Sequence, residues 1–284
     1  MNRARSSGIM VVMLVAAAAF AGNASALVGG DVTIYDENSS AGGYGAWPGG
    51  YASQAEDQEV EPGSLTGQQW DTEGFFYDKT DYTLTLVGGW NFQNGYSGVF
   101  SGDIFIDTNG DAQFGNEAHA GTQYAPGAVV ADSFNYEYVI DVDWLSGNYA
   151  VYSTLGAMME TNGMVTESIN WEANPLRRVA GGTALGVTGT ATYSTATDAE
   201  TGFVGGSHNT AAFDLDWLVA LLPEDSQATF HFTESCGNDY MMGFTSLRDD
   251  TPPPPSPEPA SLVLLGAGVL ALAYRHRKGL VSVD

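Results

Sequence analysis

The stretch from residue 134 to residue 144 constrains the fold of this chain more than any other segment. Its side chains alternate between apolar and polar. Tyr136, Tyr138, Ile140, Val142 and Trp144 point to one face, whereas Asn135, Glu137, Asp141 and Asp143 point to the other, with Val139 as the exception. A period of two predicts a β-strand with one buried and one solvated face. Ser146-Gly147 is a turn signal, so we expect residues 148–155 to pair with this strand.

Short stretches of the same kind recur along the chain, and its central part shows no long helical stripe. Further strands are predicted at residues 32–35, 82–86, 99–106, 185–194, 211–222 and 229–233. The segment from Leu218 to Leu222 is apolar throughout, so this end of its strand is also compatible with a helix. Short strands joined by Gly, Asn and Asp turns predict an all-β fold, and specifically a β-sandwich-like exported domain.

The N-terminus has the features of a secretory signal peptide. Arg3 and Arg5 precede an apolar run at residues 9–21, and a small-x-small cleavage site follows at Ala24 and Ala26. This order predicts that residues 1–26 are removed on export, rather than kept as an anchor helix, because the apolar run is short.

The C-terminus combines four prolines at residues 252–255 with an apolar run and a basic cluster. The run covers residues 260–274, so as a helix it would be about 22 Å long, against ~30 Å for the hydrocarbon core of a bilayer. Flanking Arg and Lys side chains that reach toward the interface would let this short segment span. The basic cluster predicts a cytoplasmic end, which leaves the folded body outside the cytoplasm.

One short pattern at this end is similar to a known family. The matching residues are Pro257, Glu258, Pro259, the run at 260–274, and Arg275, Arg277 and Lys278. Their order resembles the PEP-CTERM sorting signal of Gram-negative bacteria. The resemblance implies recognition by exosortase, a membrane transpeptidase-like enzyme, and export linked to exopolysaccharide production. It also implies an inner-membrane-tethered precursor that faces the periplasm and later reaches the cell surface or the extracellular matrix.

These features predict the organisation of the whole chain. The expected segments are a signal peptide (1–26), a Gly-rich acidic N-terminal arm with a first strand (27–80), a β-sandwich body (81–250), a Pro-rich linker with the Pro-Glu-Pro motif (251–259), a transmembrane sorting helix (260–274) and a basic cytoplasmic tail (275–284).

The charge of the chain limits its partners. Asp and Glu number 34 against 9 Lys and Arg, for a formal net charge of −25. Such a charge argues against nucleic acid and anionic lipid surfaces, and it favours cations. The single cysteine, Cys236, excludes an intramolecular disulfide. It is either a small buried apolar residue or a free thiol that can form an intermolecular link.

The best candidate for a metal site is the segment that contains Asp107, Asn109 and Asp111. Oxygen side chains at alternate positions of a curved loop are the ligands that Ca²⁺ prefers. The segment is not an EF-hand loop, because Gly110 stands at the fourth loop position and Ala112 at the sixth. The alternative is a hairpin turn without a cation, since Asn-Gly strongly favours one. No cofactor is required, and Ca²⁺ is the one candidate.

Signals for catalysis are weak. His119, His208 and His231 match no zinc-site spacing, and residues 205–209 do not complete a nucleophile elbow. Asp141 and Asp143 are expected on a solvated face. Several aromatic residues suit either core packing or a sugar-stacking platform: Trp90, Tyr96, Trp144, Tyr149 and Trp171.

The sequence therefore predicts a non-catalytic exported protein with a structural or adhesive role in an exopolysaccharide matrix. Two alternatives stay open. One is a Ca²⁺-dependent carbohydrate-binding module, whose stability would depend on metal. The other is a hydrolase that acts on exopolysaccharide, which would require a deep pocket holding two carboxylates, one of them strongly desolvated.

Overall fold

The computed structural model describes residues 33–35, 65, 67–112, 125, 127–162 and 173–248. The predicted signal peptide, linker, sorting helix and cytoplasmic tail lie outside these ranges, as do most of the arm, His119 and Trp171. Within the described ranges, no helix is long and apolar enough to cross a membrane.

The described chain consists mostly of strands. They are β1 (Thr33–Tyr35), β2 (Thr72–Asp78), β3 (Thr83–Gly88), β4 (Ile104–Asp107), β5 (Val129–Ala131), β6 (Tyr138–Val142), β7 (Asn148–Ser153), β8 (Met158–Glu160), β9 (Arg177–Ala180), β10 (Thr183–Thr190), β11 (Thr192–Ala196), β12 (His208–Asp214), β13 (Gln227–Thr233) and β14 (Tyr240–Ser246). A 3-10 turn (Gln68–Trp70) and two short helices, α1 (Asp198–Thr201) and α2 (Asp216–Leu221), complete them. The predicted all-β fold is confirmed.

The strands form three antiparallel sheets. A seven-stranded sheet has the order β1-β14-β13-β4-β6-β7-β10, a four-stranded sheet has the order β11-β12-β3-β2, and a small sheet has the order β5-β8-β9. The two larger sheets enclose the main core, to which Phe75 and Leu86 contribute from one side and Ile140 and Phe230 from the other. The rings of Phe75 and Phe230 lie 6.0 Å apart across it. This is the packing of a β-sandwich.

The small sheet covers the outer face of the larger one and explains the exception in the alternating pattern. Val139 is fully buried in a second cluster that also contains Phe105 of β4 and Met159 of β8. Tyr136 joins this second cluster rather than the main core. Regular strand geometry begins only at Tyr138, and Asn135 has a φ of 60°, so the alternation does not extend back to Tyr136.

The predicted strands agree with the structure in part. The prediction at 148–155 is confirmed as β7, which pairs with β6, and the apolar end of the 211–222 segment is the helix α2. Regular structure in the 99–106 segment begins only at Ile104, and the 185–194 segment is divided between β10 and β11 at Ala191.

Two strands of the sandwich were not predicted. Residues 72–78, which the sequence placed in the arm, form β2, and residues 240–246 form β14. Both strands are almost continuously buried, so neither shows the alternation that reveals a half-exposed strand.

Candidate functional site

Asp107 organises the acidic loop that follows β4. It is the last residue of that strand and is 1% exposed. Its Oδ1 accepts hydrogen bonds from the backbone N–H groups of Asn109 (3.0 Å) and Gly110 (2.9 Å), and its Oδ2 accepts one from Ala112 (3.2 Å). The Asp107 side chain therefore holds the backbone that follows it in a turn, as expected for an Asx turn. A turn is present around a buried carboxylate, but it is not the predicted hairpin, because β4 pairs with β6 and β13 and not with β5, the next strand in the chain.

The carboxylate of Glu137 comes from the neighbouring strand and joins those of Asp107 and Asp111 at this loop. Glu137 precedes β6, and the antiparallel pairing of β4 with β6 places Ile106 opposite Tyr138. Glu137 Oε2 accepts a hydrogen bond from the N–H of Thr108 (2.7 Å), and its Oε1 accepts one from the side-chain amide of Asn109 (2.7 Å). The sequence placed Glu137 only on a solvated face, because the alternating pattern does not show that β6 also pairs with β4.

The candidate cation site consequently differs from the predicted one. Carboxylate oxygens of Asp107, Asp111 and Glu137 lie within 4.8 Å of one another. Asn109 lies in the same loop, where its Oδ1 accepts the N–H of Asp111 (2.8 Å) and its amide donates to Glu137. Two of the three predicted residues, Asp107 and Asp111, belong to this group, together with Glu137, which the sequence did not single out.

The electrostatics of the cluster favour a cation. Burial raises the pKa of Glu137, and the nearby charges of Asp107 and Asp111 raise it further, while hydrogen bonds from Thr108 oppose both effects. Among the described residues, neither Lys nor Arg forms an ion pair with these three carboxylates. Three converging carboxylates without a basic partner suit a hard divalent ion such as Ca²⁺.

Cys236 is half-buried, which agrees with a small apolar role rather than a reactive one. Its Sγ donates to Glu234 Oε2 at 3.4 Å. Burial raises the pKa of the Cys236 thiol, so the nucleophilic thiolate is disfavoured. Burial likewise raises the pKa of Glu234 well above its ordinary value.

The two described histidines that the sequence singled out are both fully buried. His208 lies between two carboxylates, with Nδ1 2.5 Å from Glu73 and Nε2 3.0 Å from Asp198. This contact joins β12 to β2 and to the start of α1. His231 lies among aromatic rings, 6.2 Å from the ring of Phe105. Neither histidine belongs to the metal-ligand cluster.

Most of the aromatic residues proposed for sugar stacking pack in the core instead. Trp90, Trp144 and Tyr149 are buried in the main cluster, and the indole N–H groups of Trp90 and Trp144 donate to Ser101 and to the carbonyl of Gly102. Tyr96 is half exposed and meets the ring of Trp70 edge-on at 5.0 Å. Core packing is confirmed for the three buried rings.

The predicted sorting residues and the signal cleavage residues, Ala24 and Ala26, lie outside the described ranges. The family model of the PEP-CTERM protein-sorting motif matches residues 257–278. The chain carries this motif, and the resemblance of its C-terminal end is confirmed. No curated protein and no solved structure matches the chain. The motif marks the chain as an exported protein that exosortase sorts.

Proposed function

We propose that this chain is a non-catalytic surface protein that exosortase releases from the inner membrane, and that it has a structural or adhesive role in an exopolysaccharide matrix. The sorting motif at residues 257–278 carries the proposal. It follows a β-sandwich that ends with β14 at Ser246. The signal peptide at 1–26 starts export, the run at 260–274 holds the precursor in the membrane, and exosortase acts at Pro257-Glu258-Pro259.

The architecture of the sandwich supports a structural role. Its main core is built from large side chains of both sheets, and Phe75, Trp90 and Phe230 are all fully buried. Such a core keeps the domain folded without disulfides, which a single cysteine cannot provide. A net charge of −25 keeps the exported domain soluble and attracts divalent cations, which can bridge acidic groups in a matrix.

A sorting experiment tests this function. Cells that produce exosortase express either the unchanged chain or a variant that combines Pro257→Ala, Glu258→Ala and Pro259→Ala. We expect the unchanged chain in the cell-surface and matrix fractions and the variant in the inner membrane. The matched control combines Pro252→Ala, Pro253→Ala and Pro254→Ala, which lie outside the matched residues, and it should be sorted normally. Normal sorting of the Pro257-Glu258-Pro259 variant would refute the proposal.

A second candidate function is a Ca²⁺-dependent carbohydrate-binding module. The convergence of Asp107, Asp111 and Glu137 favours it. Because Asp107 already shapes the loop with three backbone hydrogen bonds, a bound ion would lock an existing turn. The ion would also relieve the mutual repulsion of the three carboxylates.

A further inference from the structure

A cavity of about 610 Å³ opens beside the starts of β4 and β9 and the end of β6. This volume lies within the range of small-molecule binding sites, which is roughly 300–1,000 Å³. Asp103, which precedes β4, lines the cavity, whereas Asp107, which ends β4, belongs to the acidic loop. At ~3.3 Å per residue these two positions are roughly 13 Å apart along the strand. The cavity is therefore distinct from the candidate cation site.

Two arginines are held in fixed positions on the cavity wall. The guanidinium of Arg178 donates to one oxygen of Asp141 through Nε (3.0 Å) and Nη2 (2.5 Å), and it lies 3.6 Å from the centre of the Tyr152 ring. Arg177 donates to Glu160 Oε2 through Nε (2.7 Å), and its Nη2 lies 2.6 Å from the same oxygen as an ion pair. These contacts use part of each guanidinium and leave Nη1 of Arg177 without a partner among the described residues.

The same cavity is lined by carboxylate and amide oxygens that can accept further hydrogen bonds. Arg178 bonds only Oδ2 of Asp141, and Ser146 bonds only Oδ2 of Asp143 (2.7 Å), so Oδ1 of each accepts no hydrogen bond from the described residues. Gln93 donates its amide N–H to the carbonyl of Leu145 (3.3 Å), which leaves its own Oε1 as an acceptor. The cavity thus combines hydrogen-bond acceptors with a guanidinium donor, and a hydroxyl group can satisfy both.

The rim of the cavity is apolar. Phe100, Leu145 and Val179 line it and are 43%, 74% and 39% exposed. Isolated exposed apolar residues need no explanation, but three of them around one polar cavity form a defined surface. Phe100 also lies under the guanidinium of Arg177, 5.0 Å from its ring centre. A ligand with one apolar face and several hydroxyl groups matches this arrangement.

The charges favour a neutral ligand. Burial, together with the nearby charge of Asp141, raises the pKa of Asp103 to about 8. Asp141 pairs with Arg178 and Glu160 pairs with Arg177, which leaves Asp143 as an additional negative charge on the cavity wall. These charges disfavour an anionic ligand, and the net charge of −25 of the whole chain disfavours it further.

We propose that this cavity binds a neutral carbohydrate, whose hydroxyl groups bond to Asp141, Asp143 and Arg177 and whose apolar ring face lies against Phe100 and Leu145. The inference deepens the adhesive function proposed above and rests on it for its place in the cell. The proposed role of the cavity is binding without hydrolysis. Asp103 is 4% exposed, and its two oxygens accept the backbone N–H groups of Val142 (3.1 Å) and Arg178 (2.8 Å). It therefore ties β4 to β6 and β9 instead of reaching a ligand.

Calorimetric titration of the full-length chain tests this proposal. The chain is purified in a detergent without a sugar headgroup and titrated, in the presence of a chelator, with short neutral gluco-, manno- and galacto-oligosaccharides. We expect at least one series to bind, and Asp143→Asn and Phe100→Ala to weaken that binding roughly tenfold or more, because each removes a direct contact. Leu145→Ala should weaken it as well.

Matched controls separate the cavity from general effects. Leu155→Ala removes a similar side chain, 85% exposed, that does not line the cavity, and Asp225→Asn removes an exposed charge elsewhere. Both should leave the affinity unchanged. The proposal is overturned if none of the oligosaccharides binds, if the cavity variants bind as tightly as the unchanged chain, or if uronic-acid oligosaccharides bind more tightly than neutral ones. Release of reducing ends would overturn the non-catalytic function, whereas sorting is measured separately in cells.

Discussion

Glu137 shows how the role of a single residue depends on strand pairing. The local turn at Asp107 to Gly110 could be predicted, because Asx side chains and Asn-Gly act on their own backbone. The contribution of Glu137 could not, because it depends on the pairing of β4 with β6, which brings together residues 29 positions apart. The predicted residues therefore include two of the converging carboxylates and lack Glu137.

Metal binding at this loop should be visible as added stability of the full-length chain. At a hundredfold excess of Ca²⁺ over the dissociation constant, the free energy of unfolding should rise by about 2.7 kcal/mol relative to chelator. Asp111→Asn and Glu137→Gln should abolish the rise, since each removes one of the converging carboxylates. The measurement is thermal unfolding in both buffers.

Asp225→Asn is the control for the change of net charge, because Asp225 is exposed and outside the cluster. This variant should keep the full response to Ca²⁺. An unchanged melting temperature of the unmodified chain would refute the cation site and leave the loop as a turn.

At the scale of strands, the burial of the two faces of a strand decides whether that strand can be predicted from the sequence. β6 and β7 were predicted because polar or half-exposed residues alternate with buried apolar residues along most of each strand; the exception is Val139 of β6, which the small sheet covers. The sequence did not predict β2 and β14, because the polar residues of these strands are buried as well. Thr72 and Glu73 are fully buried in β2, where the N–H and hydroxyl of Thr72 bond to Asp239 (2.5 and 2.8 Å). Buried polar residues whose hydrogen bonds are satisfied inside the sandwich resemble loop residues when only the sequence is considered.

Two neighbouring phenylalanines of β2 test whether this strand belongs to the core or to a peripheral arm. Phe75 is fully buried against Phe230, whereas Phe76 is half-buried on the outer face against Phe203. Phe75→Ala should lower the free energy of unfolding by about 3–5 kcal/mol. Phe76→Ala should cost clearly less, because its ring is already partly in contact with water. Equal and small losses for both, measured by denaturant unfolding, would place β2 outside the core.

At the scale of the whole molecule, the protein is an acidic β-sandwich followed by a sorting motif. The sorting motif at 257–278 could be predicted because a proline-bounded motif, an apolar run and a basic cluster are local features. The cavity beside β4, β6 and β9 could not, because Asp103, Asp141 and Arg178 meet only after three strands are placed together. The sorting signal is thus encoded by short segments, whereas the cavity proposed to bind a carbohydrate is formed only by the fold.

The most direct test of the account is the mass of the protein recovered from the surface of cells that produce exosortase. Peptide mass spectrometry should detect residues 27–248 and should find neither the signal peptide at 1–26 nor the end at 275–284. The same analysis in cells without exosortase should find residues 275–284 still attached, in the inner membrane. Surface protein that retains residues 275–284 in exosortase-producing cells would contradict the central claim that exosortase releases this sandwich.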